Sequence, residues 1–211
     1  MAIASDISSA HSGRIRNFLA ATIGFIGNVV LFAGIALLGG LATSWYMIEV
    51  GSPLTTVKVG PWVSWPAIGT PNADPYTRAH MARQGSMPIS GTLARVWEAR
   101  TDDTGQRLHS SCDYAVVGRG LNDGFWTIAV FDDSGQLIPN AAGRYAFNSS
   151  SIMRAPDGSF HVSLSRDARP GNWLPTSGAG RFKVVLTLLE AGDGLGPDGT
   201  GLPEIRRVAC R

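Results

Sequence analysis

Two adjacent carboxylates occur twice in this chain, at Asp102-Asp103 and at Asp132-Asp133. Glycoside hydrolysis needs such a pair flanking the scissile bond, one group as acid and the other as base or nucleophile. Each pair also runs into a short polar residue and a glycine, Thr104-Gly105 and Ser134-Gly135, which is the chemistry of a tight turn. The turn accounts for both pairs without catalysis. His109 adjoins Ser110 and Ser111, but a catalytic triad is defined by geometry and no nucleophile elbow surrounds these serines. His11, His80, His109 and His161 stand far apart, with no second ligand at metal-site spacing, so no metal is expected. The glycine-rich stretch from Ala191 to Gly201 lacks the Lys-Ser/Thr of a phosphate-binding loop, and no cofactor is expected. No residue is assigned as catalytic.

Aromatic residues leave a second kind of chemistry open. Trp62, Trp65, Trp97, Trp126 and Trp173 follow the apolar N-terminal run, and Arg166 and Arg169 precede Asn172-Trp173. An indole ring offers a large apolar face with one polar atom, so it can stack on a sugar or fill a core. Trp126, Tyr145, Arg166, Asn172 and Trp173 are therefore candidate ligand or seam residues. With 18 basic and 16 acidic residues, the chain is nearly neutral and shows no basic block, which argues against nucleic acid as a partner.

The elements that must position these groups begin with an uncharged run. No Asp, Glu, Lys or Arg occurs between Arg16 and Glu49, and residues 18–44 supply the roughly 20 apolar residues that a membrane-spanning helix needs. Arg14 and Arg16 precede the run, which predicts a cytoplasmic tail over residues 1–17 and an extracytoplasmic domain over residues 45–211. A cleaved signal peptide, cut ahead of Trp45 after the small residues Ala42 and Ser44, is the rival reading; the run is longer than a signal's apolar core. Ala20, Gly24 and Asn28 form a small-residue stripe through which two copies could associate as a homo-oligomer, although a glycine-rich anchor that contacts only lipid is the favoured reading.

Beyond the run, Thr55 to Trp65 reads as β structure broken at Gly60-Pro61. Asp74 suits a helix N-cap, Pro75 the first helical position and Gly85 a left-handed C-cap, which predicts one short helix between them. Strands are expected over residues 93–100, 112–117, 125–131, 144–148, 160–165 and 181–190, with Phe182, Val184, Leu186 and Leu188 on one face. Strands separated by Gly and Asp turns predict a mainly β, antiparallel sandwich. Ala191 to Gly201 is expected as a mobile loop before a closing segment, Pro203 to Arg211. Outside the cytoplasm disulfides persist, so Cys112 and Cys210 are expected to pair, which would tie down the C-terminus.

Several stretches taken together resemble one known family. They are Gly60-Pro61-Trp62, Asp74-Pro75-Tyr76 with Arg78 and Ala79, Cys112-Asp113-Tyr114 before Val117-Gly118, Trp126-Thr127 before Asp132-Asp133, Phe160 to Ser165 after Asp157-Gly158, and Asn172-Trp173-Leu174-Pro175 before Phe182. In this order they are similar to the bacterial domain of unknown function 1214, in its short membrane-anchored form. The resemblance covers roughly residues 62–210. It implies a jelly-roll-like β-sandwich and an exported, membrane-attached location, and it carries over no catalytic residue. The same domain also occurs as the C-terminal half of larger, two-domain family members.

Two functions follow as expectations. The first is a non-enzymatic envelope module in the bacterial inner membrane, single-pass, with its N-terminus cytoplasmic and its β domain periplasmic, binding an envelope glycan, lipid or protein. The alternative is a glycan-acting envelope hydrolase in which the fold brings Asp132 or Asp133 near Arg166 and Trp173.

Overall fold

The computed structural model describes residues 3–85, 87–91, 93–119, 121, 124–189 and 201–211, with side chains from residue 22 onward. Of the loop expected from Ala191 to Gly201, residues 191–200 lie outside the described residues, as do the side chains of Arg14, Arg16 and Ala20. The chain divides into two compact units, Met1–Glu49 and Val50–Arg211.

The first unit is one helix, α1 (Ile3–Glu49). Its portion Thr22–Glu49, 28 residues, is long and apolar enough to cross a membrane, and none of its strongly apolar window is buried within the protein. At 1.5 Å per residue that portion is about 42 Å long, more than the roughly 30 Å of a hydrocarbon core. The helix therefore runs on through Trp45 and Tyr46 to Glu49 instead of ending with the apolar run.

The second unit opens with a hairpin of β1 (Val57–Val59) and β2 (Trp62–Ser64), turned at Gly60 with φ of 54°. Helix α2 (Pro75–Gln84) follows and is capped as its sequence predicts. The Asp74 carboxylate accepts from the Tyr76 and Thr77 amides at 2.9 and 3.0 Å, and Gly85 closes the helix in the left-handed conformation. The remaining strands are β3 (Ala94–Ala99), β4 (Cys112–Gly118), β5 (Trp126–Asp132), β6 (Ala146–Asn148), β7 (Phe160–Ser165), β8 (Asn172–Pro175), β9 (Phe182–Leu189) and β10 (Glu204–Cys210).

They form two sheets, one in the order β1-β2-β3-β9-β5-β6 and the other β10-β4-β7-β8. Alternate residues of both sheets enter a single core. Phe182, Val184, Leu186 and Leu188 of β9 are buried as their spacing predicts, together with Trp62, Trp97 and Trp126 from the first sheet and Tyr114, Val116, Val162 and Leu164 from the second. Two edge-on or stacked ring pairs join the layers, Tyr114 with Phe182 at 5.8 Å and Trp126 with Phe160 at 5.0 Å. Gly118, opposite Phe160 on β4, leaves the space that this ring occupies, because a β-carbon there would overlap it.

Two strands were not foreseen in the sequence. β10 pairs antiparallel with β4 from Glu204 opposite Val117 to Cys210 opposite Cys112, with a register shift between Arg207 and Ala209. Cys112 of β4 and Cys210 of β10 are bonded to each other, as expected. β8 corrects the expectation of a wholly antiparallel fold, since it runs parallel to β7, with Val162 opposite Asn172 and Ser165 opposite Pro175. Parallel neighbours ordinarily need a crossover of a dozen or more residues. Here residues 166–171 make the connection, returning the chain from Ser165 to a position beside Val162.

Candidate functional site

Each Asp-Asp pair opens a tight turn that occupies its first carboxylate. Asp102 Oδ1 accepts from the Thr104 amide at 3.0 Å, the Thr104 hydroxyl at 2.6 Å and the Gln106 amide at 3.0 Å. Asp132 Oδ1 repeats the pattern with the Ser134 amide, the Ser134 hydroxyl and the Gln136 amide at 2.9, 2.7 and 2.8 Å. Both segments read Asp-Asp-Thr/Ser-Gly-Gln, so the same residues build the same turn twice. The Ser134 hydroxyl, then the Gln136 amide, hold the Asp132 carboxyl below its ordinary value. Burial pushes Asp102 up, but the Thr104 hydroxyl, the Gln106 amide and the Arg207 guanidinium together outweigh it and leave that carboxyl lowered. A general acid needs the opposite shift. Asp103 is raised, first by burial and then by the neighbouring Glu204 and Asp102 against the Ile205 bond.

Asp133 meets three guanidinium groups, Arg181 at 3.2 Å, Arg107 at 3.3 Å and Arg100 at 3.8 Å. Beside them Glu98 receives the buried Lys183 ammonium on both oxygens at 3.0 Å. These groups come from the ends of β3, β5 and β9 and from the β3–β4 connection, and residues so far apart in the chain carry no shared sequence signal. Among the described residues, no hydrogen bond or ion pair joins Asp132 or Asp133 to Arg166 or Trp173. Also among the described residues, no group of three or more His, Cys, Asp or Glu converges as a metal ion would require.

The five aromatic and polar candidates fall in different places. Trp126 is 0% exposed, stacked on Phe160, with the Arg154 guanidinium 5.6 Å from its ring centre. Asn172 is buried; its Oδ1 accepts from the Met153 amide at 2.8 Å, and its Nδ2 donates to the Met153 and His161 carbonyls at 2.8 and 3.0 Å. Half-buried Trp173 donates its indole N–H to the Ser165 carbonyl at 3.1 Å. Arg166 Nε donates to the Ser110 carbonyl at 2.5 Å from an exposed position, and Tyr145 is exposed just before β6. The structure brings Asn172 and Trp126 to one segment, Met153-Arg154, and Arg166 and Trp173 to the two ends of the β7–β8 connection. Tyr145 joins neither group.

Two concavities lie around α2. A cavity of about 290 Å³ is walled by the start of β3, by Trp65 to Thr70 and by Ile89 and Gly91. A groove of about 530 Å³ runs between α2 and residues 68–73, and the two share Ile68 and Thr70. Their lining is largely apolar, with Arg95 in the cavity and Arg78 in the groove. Local sequence explains how these walls meet. Trp65 stacks on His80 of α2 with ring centres 4.0 Å apart, and the His80 Nε2 bonds with Gln84 at 2.8 Å. Gly69, at φ of 69°, lies so close to Ile89 and Ser90 that a β-carbon would meet their backbone at 2.6–2.7 Å. The sequence pointed to α2 as a capped helix and to no site beside it. The missed signal is apolar Met87, Ile89 and Leu93 within a Pro- and Gly-containing segment where a loop would be polar.

Among solved structures, the chain is similar to the VPA0106 protein from Vibrio parahaemolyticus, at 21% identity with a TM-score of 0.55 over 65% of this chain and 36% of that one. A putative uncharacterized protein from Burkholderia cenocepacia aligns at 17% identity with a TM-score of 0.38, over 67% of this chain and 45% of that one. The chain thus spans under half the length of either, and the first likeness shows a shared fold only. No curated protein matches. The family model described as "Protein of unknown function (DUF1214)" matches from the start of β3 to just beyond β9, and residues 94–193 are a DUF1214 family domain.

Proposed function

We infer that the chain is a single-pass envelope protein whose α1 remains as an anchor, with residues 1–17 in the cytoplasm and the β domain in the periplasm as a non-enzymatic binding module. The observation that carries this reading is the apolar portion Thr22–Glu49 followed directly by a disulfide-bonded β domain. Disulfides persist outside the cytoplasm, and the charge asymmetry of the flanks favours the same orientation. Binding is favoured over catalysis because Asp102 and Asp132 are engaged in turns and Asp133 in ion pairs, whereas the groove beside α2 has the apolar lining and size of a ligand site. A jelly-roll-like wrap belongs to the same proposal; it is supported by β3, β4 and β5 alternating between the two sheets in chain order.

Alkaline washing of membranes, spheroplast proteolysis and N-terminal mass analysis test the anchor together. The full-length chain should stay with washed membranes and lose its β domain to protease only after the outer membrane is opened. A mature chain beginning near Trp45 in the soluble fraction would overturn the anchor. Turnover of an envelope glycan that Asp132→Asn and Asp133→Asn abolish would overturn the non-enzymatic role.

A further inference from the structure

We propose that the cavity beside β3 is a strand-addition site, at which an extended peptide segment of another protein, apolar at alternate positions, pairs with the open edge of residues 94–97. The inference rests on the binding role proposed above and names the ligand class of that module.

The cavity is bordered by four consecutive residues of β3, residues 94–97. Side chains of a strand alternate between faces, so four neighbours in a row border one cavity along the strand's edge and not on a face. β9 pairs with the opposite edge along the whole of β3. On the cavity side β2 pairs only with Ala99 and Glu98, through Trp62 and Val63, and the chain then turns away at Pro66. Among the described residues, no strand lies beside residues 94–97 on that edge.

The register shows which backbone groups point at the cavity. In an antiparallel pair the N–H and C=O of one residue point to the same edge, and successive residues alternate. The Leu189 amide donates to the Phe125 carbonyl at 2.8 Å, so Leu189 and, two residues earlier, Thr187 face β5. Their partners on β3, Ala94 and Val96, therefore turn their N–H and C=O away from β9 and toward the cavity. The Ser90 carbonyl accepts from the Ala94 amide at 3.0 Å. Among the described residues, no backbone bond reaches the Val96 amide, the Val96 carbonyl or the Ala94 carbonyl.

One donor and two acceptors so placed match the main chain of a further antiparallel strand. A residue opposite Val96 would exchange both bonds with it, and the residue two further on would donate to Ala94. These groups select a peptide over a lipid, because an acyl chain would leave all three unpaired beside it. The walls select the side chains. Val57, Trp65, Ile68 and Ile89 are apolar, so the peptide residues that face them are to be apolar. Arg95, the charged side chain in the lining, already has a partner, so no acidic residue is called for. Four residues of edge span about 13 Å, enough for a short paired segment. Main-chain bonds to a sheet edge supply affinity, and pockets for alternate side chains supply selectivity.

The test uses the full chain in detergent micelles and a library of end-capped heptapeptides, apolar at alternate positions with serine or threonine between, read by fluorescence polarisation. The tightest binder is remade with one N-methyl group at each position in turn. Methylation on the edge facing β3 removes a bond and should weaken binding about tenfold, whereas methylation on the outer edge should change it by less than about twofold. In amide exchange without peptide, Val96 should exchange freely while Arg95 and Trp97, bonded to β9, are protected. Peptide should slow Val96 by about tenfold or more. Val96→Pro removes the open N–H without touching the β9 ladder and should abolish binding. Gly91→Leu should do the same with β3 intact, since a β-carbon at 91 meets only the Pro66 carbonyl oxygen, at an ordinary 3.5 Å, and the rest of the side chain would fill the cavity. A library without a binder, N-methyl effects that do not alternate, or binding that leaves Val96 exchange unchanged overturns the strand site. Recovery of cleaved peptide overturns the non-enzymatic role instead, and the alternation and exchange readouts do not depend on it.

Discussion

Asp102 and Asp132 start the same turn, yet the fold treats them differently. Asp132 stays near the surface, while Asp102 is buried and its second oxygen faces the Arg207 guanidinium of β10 at 2.7 Å. That pair links the 102–106 turn to the C-terminal strand. Arg207 is partly exposed, so its removal should cost more than the roughly 1 kcal/mol of a surface pair and less than the roughly 3–5 kcal/mol of a fully buried one. Arg207→Met is expected to lower stability by about 2 kcal/mol in urea melts at neutral pH. The pH dependence follows from the direction of the shift. The folded Asp102 carboxyl titrates below its unfolded value of about 3.9, so its contribution is complete above that pH and is lost as pH falls through the folded value. Without Arg207 that loss should begin at a higher pH, and the gap between wild type and variant should close in acid. A gap that stays constant down to the acid limit would mean that Asp102 is not the partner that matters.

At the scale of elements, β8 depends most on one side chain. Asn172 supplies both a donor and an acceptor to Met153 and a second donated bond to His161, imitating a strand where no strand is paired. Leaving a buried donor or acceptor unsatisfied costs about 1–3 kcal/mol each, and Asn172→Leu should destabilise the domain by about 3 kcal/mol. The damage should also be local. Amide exchange at 172–176 and at Met153 should quicken before that of β4, and uniform acceleration across both sheets would contradict a specific seam. The residues of the Asn172-Trp173-Leu174-Pro175 motif were legible as a group. The parallel pairing was not, because a connection as short as residues 166–171 ordinarily joins antiparallel strands.

For the whole molecule, the Cys112–Cys210 bond closes a loop across a sequence separation of 98 and fixes the end of β10 against β4. The chain-entropy model assigns roughly 4–5 kcal/mol to a loop of that length. Reduction of the full chain in detergent should lower the urea midpoint accordingly and open residues 201–211 to protease. Equal midpoints with and without reductant would show that the sheet, and not the bond, holds the C-terminus. The same long-range closure brings Pro203 to Trp62, whose indole N–H donates to its carbonyl at 2.7 Å, so β10 is fastened at both ends.

Neighbouring residues suffice to specify the apolar helix, the Asp74 and Gly85 caps, the Asp-Asp turns, the inward face of β9 and the pairing of two cysteines. Each follows from spacing, turn chemistry or the choice between two thiols. The tertiary structure alone decided the parallel β8, the strand character of Glu204–Cys210, the arginines around Asp133 and the apolar cavity beside α2. Those features depend on partners brought together from distant parts of the chain, where local periodicity carries no information about which surfaces meet.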